Sequence, residues 1–335
     1  MRSSRILVLS VVLVPFLFSC NKNLNVNANW KDITVVYGLL DQNDSAHYLK
    51  VTKAFLGDGN ALSFAKIPDS SYYRDSLEIR MEEWNYSTLL RTFIFHDTLI
   101  SNKEAGDSIF YYPDQHVFVT YGKLNAEYTY KLFIRNKHTG KEITSKTVLV
   151  KKFSIDKPAS YPAQASFDSS RSSELKWTSA VNGRRYQLVI RFHYIEAQKA
   201  DTSKRTDKYV DWVVFKDMLS SDLDGKTTMT YSLPGSVFYI VLGGNIKPDN
   251  TVTRAARDVS YIFSVASDDL STYIDVTEPS SSIIQERPQF TNITGGIGIF
   301  ASRHNNTKDN TKTLRLSETT LRQLKINSHT SNLGF

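Results

Sequence analysis

Three strands are predicted by residues 115–150, which read QHVFVTYGKLNAEYTYKLFIRNKHTGKEITSKTVLV. Residues 116–121 and 128–134 are rich in β-branched and aromatic side chains, which favour strands. Residues 136–141 contain Thr139-Gly140 and have the composition of a hairpin turn, after which residues 143–150 form a third strand. Short strands at this spacing are typical of a β-sandwich.

A tyrosine motif supports the sandwich. Leu124, followed by Tyr128 and Tyr130, resembles the tyrosine corner of fibronectin-type and immunoglobulin-like domains. In that corner, a tyrosine hydroxyl bonds the backbone a few residues upstream. The paired cysteines of an immunoglobulin domain are absent, because the chain has one cysteine. The resemblance implies a sandwich over residues 30–150, and we expect this segment to fold alone.

A linker with two prolines, Pro158 and Pro162, is predicted over residues 151–165. A second β-rich domain follows over residues 166–302, where Trp177 and Tyr186 are placed as in the B and C strands of a fibronectin-type sandwich. Short helices are predicted near residues 234–242 and 268–276. The expected fold class is therefore mainly β, with two β-sandwich-like domains, the second carrying short helical insertions.

The last segment, residues 303–335, is predicted to be a basic and weakly structured tail with a short helix at residues 317–324. The whole chain has a net charge of +7, of which +2 lies in residues 1–19 and +4 in this tail. The remaining body is close to neutral, at about +1. A near-neutral body lacks the basic surface that nucleic acid requires, so we expect no nucleic-acid partner.

The N-terminal residues 1–19 have the layout of a signal peptide. Arg2 and Arg5 precede an apolar run over residues 6–18, which is too short to cross a bilayer as a helix. The following Leu17-Phe18-Ser19-Cys20 resembles the lipobox of bacterial lipoproteins, which implies cleavage before Cys20 and lipidation of its sulfur. A buried core helix is the alternative, and the polar stretch that follows disfavours it.

Residues 20–29 are rich in asparagine and predict a flexible lipidated tether. The membrane is therefore an expected partner through the lipid anchor. Asn21 stands where an aspartate would favour retention in the inner membrane, so the outer membrane is the expected location within the cell envelope. Whether the protein faces the periplasm or the cell surface stays open.

No pattern of catalytic or ligand-binding residues is found. The seven histidines are not spaced as metal ligands, and the chain contains no Gly-x-Ser-x-Gly or phosphate-binding loop. Gly295-Gly296-Ile297-Gly298 lacks the strand–turn–helix context of a dinucleotide site, and it indicates a close-packed strand. We therefore predict no enzyme, no cofactor and no metal, although a Ser-His-Asp triad assembled only by the fold stays open.

Aromatic residues provide the candidate binding sites. Phe64, Tyr72 and Tyr73 belong to a long loop at residues 57–73 and are predicted to form an exposed contact site; alternatively, they cover the end of the sandwich. Three tryptophans could instead form a carbohydrate platform, although core positions are favoured for them. They are Trp84, Trp177 and Trp212.

Four Asp-Ser/Thr-aliphatic triplets resemble the O-glycosylation sites of Bacteroidetes. The acceptors would be Ser45, Ser76, Thr98 and Ser108. The alternative interpretation is ordinary turn chemistry before a strand, because Asp and Ser both stabilise turns through their side chains. The sequence therefore leaves two interpretations of these triplets, O-glycosylation and turn formation.

Both ends of the body resemble uncharacterised Bacteroidetes exported lipoproteins with immunoglobulin- or fibronectin-like β domains. The resemblance rests on residues 35–41, VVYGLLD, and on residues 290–303, FTNITGGIGIFASR. It implies no catalytic residues. The predicted function is that of an envelope-anchored lipoprotein that binds an envelope protein or a glycan. A structural or adhesion subunit of the fimbrial type is the alternative, and an enzyme is third.

Overall fold

The computed structural model describes residues 31–56, 72–73, 75–101, 114–158, 164–278, 289–306 and 312–335. Its strands in the first half are β1 (Lys31–Leu40), β2 (Ala46–Leu56), β3 (Leu77–Asn85), β4 (Thr88–Ile94), β5 (His96–Ile100), β6 (Gln115–Tyr121), β7 (Thr129–Asn136) and β8 (Glu142–Val148). In the second half they are β9 (Ile155–Lys157), β10 (Gln164–Ala165), β11 (Ser172–Thr178), β12 (Arg185–Gln198), β13 (Asp201–Leu219), β14 (Thr228–Pro234), β15 (Val252–Ala266), β16 (Ile297–Asn305) and β17 (Lys312–Leu316). The helices among these residues are α1 (Gly235–Asn245), α2 (Asp268–Thr277) and α3 (Glu318–Ile326).

The fold is mainly β and sandwich-like, as predicted. In the first half, a sheet of order β4-β3-β7-β8 packs against the strands β16-β1-β2-β6-β5. The alternation along β7 explains this packing, because its alternate residues Tyr130, Leu132 and Ile134 are buried in the core that the two sheets share. The predicted tyrosine corner is present: the Tyr130 hydroxyl accepts the backbone N–H of Asn125 at 2.7 Å and donates to Glu83 Oε2 at 2.7 Å.

The second half is built on the long hairpin of β12 and β13, which extends through β15 to β17 and β10. A smaller sheet, β14-β11-β9, and the helices α1 and α3 contribute to the same core. Its centre is aromatic, with Trp177 near Tyr186, Phe215 and Phe263. The Tyr186 hydroxyl accepts the backbone N–H of Ala180 at 2.6 Å, so this half also has a tyrosine bonded to upstream backbone.

Strand β16 joins the two halves. Its residues 297–302 pair in parallel with β1, and its residues 303–305 pair antiparallel with β15. One sheet of ten strands therefore runs through both halves. The first core ends at Leu149 and the second begins at Val150, next to the predicted boundary, but the first core also includes Ile293 and Phe300. Residues 30–150 are thus incomplete without a segment that is 140 residues downstream.

The segment before β16 explains the pattern FTNITGGIGIF. The Asn292 amide holds Phe300 by two hydrogen bonds, one from its Nδ2 to the carbonyl at 2.8 Å and one from the Phe300 N–H at 2.9 Å. Gly298 has a φ of +111°, and a Cβ there would lie 2.1 Å from the carbonyl oxygen of Val36. The close packing predicted for this segment is therefore confirmed, and it seats β16 against β1.

The end of β16 is held to both halves by polar side chains. Ser302 Oγ donates to the carbonyl of Val148 at 2.7 Å and accepts the N–H of Val150 at 3.0 Å. The buried Asp41 accepts the N–H of Asn305 at 2.9 Å and lies 3.7 Å from His304 Nδ1. Burial acts to raise the pKa of Asp41, but the bonds from His304 and from backbone N–H groups outweigh it and leave this pKa below its ordinary value.

The prediction of a weakly structured tail is wrong. Residues 312–316 form β17, and α3 follows with Ser317 as its N-cap, accepting the Thr320 N–H through its side chain. Leu324 and Leu333 are buried in the second core. Arg315, Arg322 and Lys325 are exposed between the buried residues of this segment, and these charges mask its apolar pattern in the sequence. The predicted short helices near residues 234, 268 and 317 are confirmed.

Candidate binding site

One face of the sheet β4-β3-β7-β8 is turned away from the core and carries charged and aromatic side chains. Successive residues of a strand point to opposite faces, so the buried Met81 and Leu132 set the direction of their neighbours. The outward residues in the middle of β3 and β7 are Arg80, Glu82, Trp84, Lys131 and Phe133. We refer to these five residues as the cation–aromatic face.

The side chains of the cation–aromatic face hold one another. The guanidinium of Arg80 lies 4.4 Å from the ring centre of Phe133, its cross-strand partner. Lys131 Nζ lies 3.8 Å from the ring centre of Trp84. Glu82 accepts Arg80 Nε at 2.9 Å and Trp84 Nε1 at 3.0 Å. Cation–π contacts and shared hydrogen bonds reduce the freedom of long side chains, so this surface is ordered before any ligand arrives.

A groove of about 500 Å³ adjoins this face. One wall is formed by β7 and β8, and the other by residues 292–294 and the first turn of α2. Its lining residues are Lys131, Phe133, Thr144, Ser145, Lys146, Asp269, Asn292 and Thr294. We refer to it as the β8 groove. Its volume lies within the range of small-ligand sites, about 300–1,000 Å³.

Both walls of the β8 groove are fixed to each other. Thr144 and Thr294 exchange backbone hydrogen bonds of 3.1 and 2.8 Å. Ser145 Oγ donates to the carbonyl of Asn292 at 2.8 Å, and the Asn292 amide donates to Asp269 Oδ2 at 2.9 Å. These hydrogen bonds fix the shape of the groove. Its second wall belongs to the segment that also contributes Ile293 to the first core.

Two lysines of the groove are direct cross-strand neighbours. Lys131 on β7 pairs in register with Lys146 on β8, on the same outward face. Within the part of the chain that the structure describes, neither ammonium group has an ion-pair partner. Like charges that face each other across two strands destabilise a sheet. The pair of lysines therefore creates a local excess of positive charge beside Phe133 and Trp84.

A second groove of about 370 Å³ lies on the other side of residues 289–291, between β1, β16 and α2. Tyr37 and Tyr273 line it, with their hydroxyl oxygens 3.4 Å apart. Burial, together with the bond to Tyr37, raises the pKa of Tyr273 to about 12. Among the described residues, no charged side chain lines this groove, which distinguishes it from the β8 groove.

The predicted contact residues of the 57–73 loop do not form one exposed site. Tyr73 is 4% exposed, and its hydroxyl bonds Thr34 Oγ1 at 2.7 Å, so its assignment as an exposed contact is wrong. It belongs to the first core, as the alternative interpretation held. Tyr72 is half-buried, with its ring 5.0 Å from that of His116. Phe64 lies outside the described residues.

The tryptophans separate into two groups. Trp177 and Trp212 are buried, as expected for core residues, and they do not contribute to a platform. Trp84 is half-exposed on the cation–aromatic face, so the favoured core position is wrong for this residue. The alternation of residues 77–84 contained the signal, since Trp84 shares the register of the exposed Arg80. Sequence reasoning did not identify Lys131, Phe133 or Lys146.

The glycosylation triplets also differ in accessibility. Ser45 is exposed in the turn before β2, and Thr98 is half-buried on β5. Ser76 is buried, so modification of the folded protein at that residue is excluded by access. Ser108 and the lipidation residue Cys20 lie outside the described residues. Glycosylation stays a prediction at Ser45 and Thr98.

One histidine in the described part of the chain lies near both a serine and a carboxylate. His193 Nε2 lies 3.3 Å from Ser260 Oγ and 4.0 Å from Asp258 Oδ1. In a triad, the base contacts serine and carboxylate through different nitrogens, so this cluster is not one. No group of three metal-ligating side chains occurs in the described ranges. None of the described helices combines the length and the apolar character needed to cross a bilayer.

No family model and no curated protein matches this chain. The resemblance to Bacteroidetes exported lipoproteins therefore stays a prediction from residues 35–41 and 290–303.

Proposed function

We propose that this protein is a lipid-anchored binding module of the bacterial cell envelope, recognising an envelope protein or glycan through its cation–aromatic face. The observation that supports this most is the interlocked set of Arg80, Phe133, Lys131 and Trp84, with ring-to-cation distances of 4.4 and 3.8 Å. A sheet face without a ligand needs only polar side chains to stay in solution. Partly exposed aromatics fixed beside a preformed groove are typical of recognition surfaces.

In this proposal, the residue that attaches the protein to the membrane is Cys20. Lipidation there would place the body at the membrane on a tether of about ten residues, the Asn-rich segment 20–29. We expect Cys20→Ala to move the protein from the membrane fraction into the soluble or precursor fraction, as measured by fractionation and mass spectrometry of the N-terminal peptide. A variant that is processed and retained as before would contradict the anchor.

The recognition surface is tested by exchanging aromatics that differ in position. Trp84→Ser removes the ring under Lys131, whereas Tyr86→Ser removes a ring that is 97% exposed at the adjoining hairpin turn. We expect the purified Trp84→Ser protein to lose at least about tenfold of its affinity for immobilised envelope extract, because a hot-spot aromatic contributes about 2 kcal/mol or more. Tyr86→Ser should bind like the wild type.

The control for folding is thermal unfolding of both variants, which we expect to stay within a few degrees of the wild type because neither ring lies in a core. Equal binding by the Trp84→Ser and Tyr86→Ser proteins would remove the cation–aromatic face from the proposal.

A structural or adhesion subunit is the second candidate, and one observation favours it. Strand β4 pairs only with β3 among the described strands, and Leu89, Leu90 and Ile94 are exposed on it. An apolar edge strand can accept a strand from another chain. Concentration-dependent polymers of the purified protein that disappear with Leu90→Lys would support this candidate over a monomeric binding module.

A further inference from the structure

We infer that the ligand of the β8 groove is an acidic polysaccharide, which places carboxylate groups against Lys131 and Lys146 and hydroxyl groups against Asp269 and Asn292. This inference rests on the proposed function, because it identifies the ligand class of the same surface. It is drawn from the charges, the polar lining and the dimensions of the groove.

The lysine pair defines the anionic part of the ligand. Lys131 and Lys146 are in register on neighbouring strands, and neither forms an ion pair within the described residues. The Lys131 ammonium is held 3.8 Å over Trp84, so its position is set before binding. An anion between the two ammonium groups relieves their repulsion and forms charge-assisted hydrogen bonds. A neutral ligand would leave the repulsion in place.

The opposite wall defines the remainder of the ligand. Asp269 uses Oδ2 to accept the Asn292 amide at 2.9 Å, and a carboxylate has further lone pairs to accept hydroxyl donors. An acidic peptide carries few hydroxyl groups that could donate to Asp269. A sugar acid presents both a carboxylate and several hydroxyl groups on one ring. The mixture of cations and one carboxylate across the groove therefore favours a saccharide over a peptide.

The shape of the groove agrees with a polymer segment. Its volume of about 500 Å³ suits a few sugar rings, and the side chain of Phe133 in its lining offers an apolar patch among polar residues. The hydroxyl of Thr144 lies in the lining on the same outward face as Phe133. The cation–aromatic face continues from the groove along β3, where Trp84 and Arg80 can meet further units of a chain.

The test compares polymers that differ only in charge. Affinity electrophoresis of the full mature chain is run in gels that contain polygalacturonate or its methyl ester, whose carboxylates are neutral. We expect the wild type to be retarded by polygalacturonate at least about tenfold more strongly than by the ester, with retardation falling as salt rises. Lys131→Gln/Lys146→Gln should remove most of the retardation.

A matched control keeps the net charge of the double variant. Lys226→Gln/Lys247→Gln removes two exposed lysines of the second half and should be retarded like the wild type. Equal retardation by both polymers, no retardation of the wild type, or equal loss in both double variants would overturn the inference. If envelope binding still depends on Trp84 but not on the lysine pair, the proposed function stands and the acidic ligand is rejected.

Discussion

Residues 31–150 expressed alone are expected to show no cooperative thermal transition. The fragment lacks Phe300, which is fully buried in the first core, and Ile293, which is 4% exposed there. Loss of one large core side chain costs about 3–5 kcal/mol, and the whole stability of a domain is about 5–15 kcal/mol. The fragment also leaves six residues of β1 without their parallel partner.

The control for this experiment is a fragment with the missing segment restored. Residues 31–150 joined through a flexible linker to residues 289–305 should regain a sigmoidal transition followed by circular dichroism. A cooperative transition in the short fragment, with the same midpoint as the joined one, would show that β16 is dispensable. The sequence-based expectation of independent folding would then be correct.

The Trp177→Ala variant is expected to lose about 3–5 kcal/mol of unfolding free energy, because it leaves a large cavity in the second core. Trp177 is fully buried and lies with its ring centre 5.2 Å from that of Phe263 and 5.7 Å from that of Phe215. The measurement is chemical denaturation of the full mature chain, followed by fluorescence and circular dichroism.

Trp177→Phe serves as the matched variant. The indole Nε1 of Trp177 has no hydrogen-bond partner among the described residues, so the smaller ring also removes an unsatisfied buried donor. We expect its loss to be about 2 kcal/mol or less. A Trp177→Ala protein as stable as the wild type would show that this aromatic cluster does not support the second core.

Local patterns in the sequence predicted the parts of the fold that depend on near neighbours. The alternation in residues 128–134 located β7, and the Leu124–Tyr130 spacing located the tyrosine corner. Short helices were predicted from Pro234, from the acidic start at Asp268 and from Ser317. In each case the deciding contacts lie within a few residues, so strand period, capping and turn chemistry carry the information.

The remaining features depend on contacts between distant residues. Strand β1 pairs with β16 across more than 250 residues, and no periodicity in either segment specifies that partner. Tyr73 has the appearance of a loop residue until Thr34 and the first core are placed beside it. Sequence alternation shows that β7 has two faces, but only the opposing sheet determines which of them is covered.

The candidate site shows the same limit. Trp84 was singled out from the sequence, but its contact with Lys131 and the cross-strand position of Lys146 require the register of three strands. The second wall of the groove, which contains Asp269, forms only because residues 292–294 return to β8. The residues that line the groove are far apart in the sequence, and their spacing therefore does not predict that they converge on one site.

Hydrogen–deuterium exchange of the mature protein, with and without the envelope fraction that it retains, tests the central claim most directly. The account predicts slower exchange in residues 78–84, 129–134, 142–146 and 291–294 when the ligand is present. The account would be contradicted by protection confined to the Tyr37–Tyr273 groove, or to β2 and β6 beside Tyr72, with no change in β3, β7 and β8.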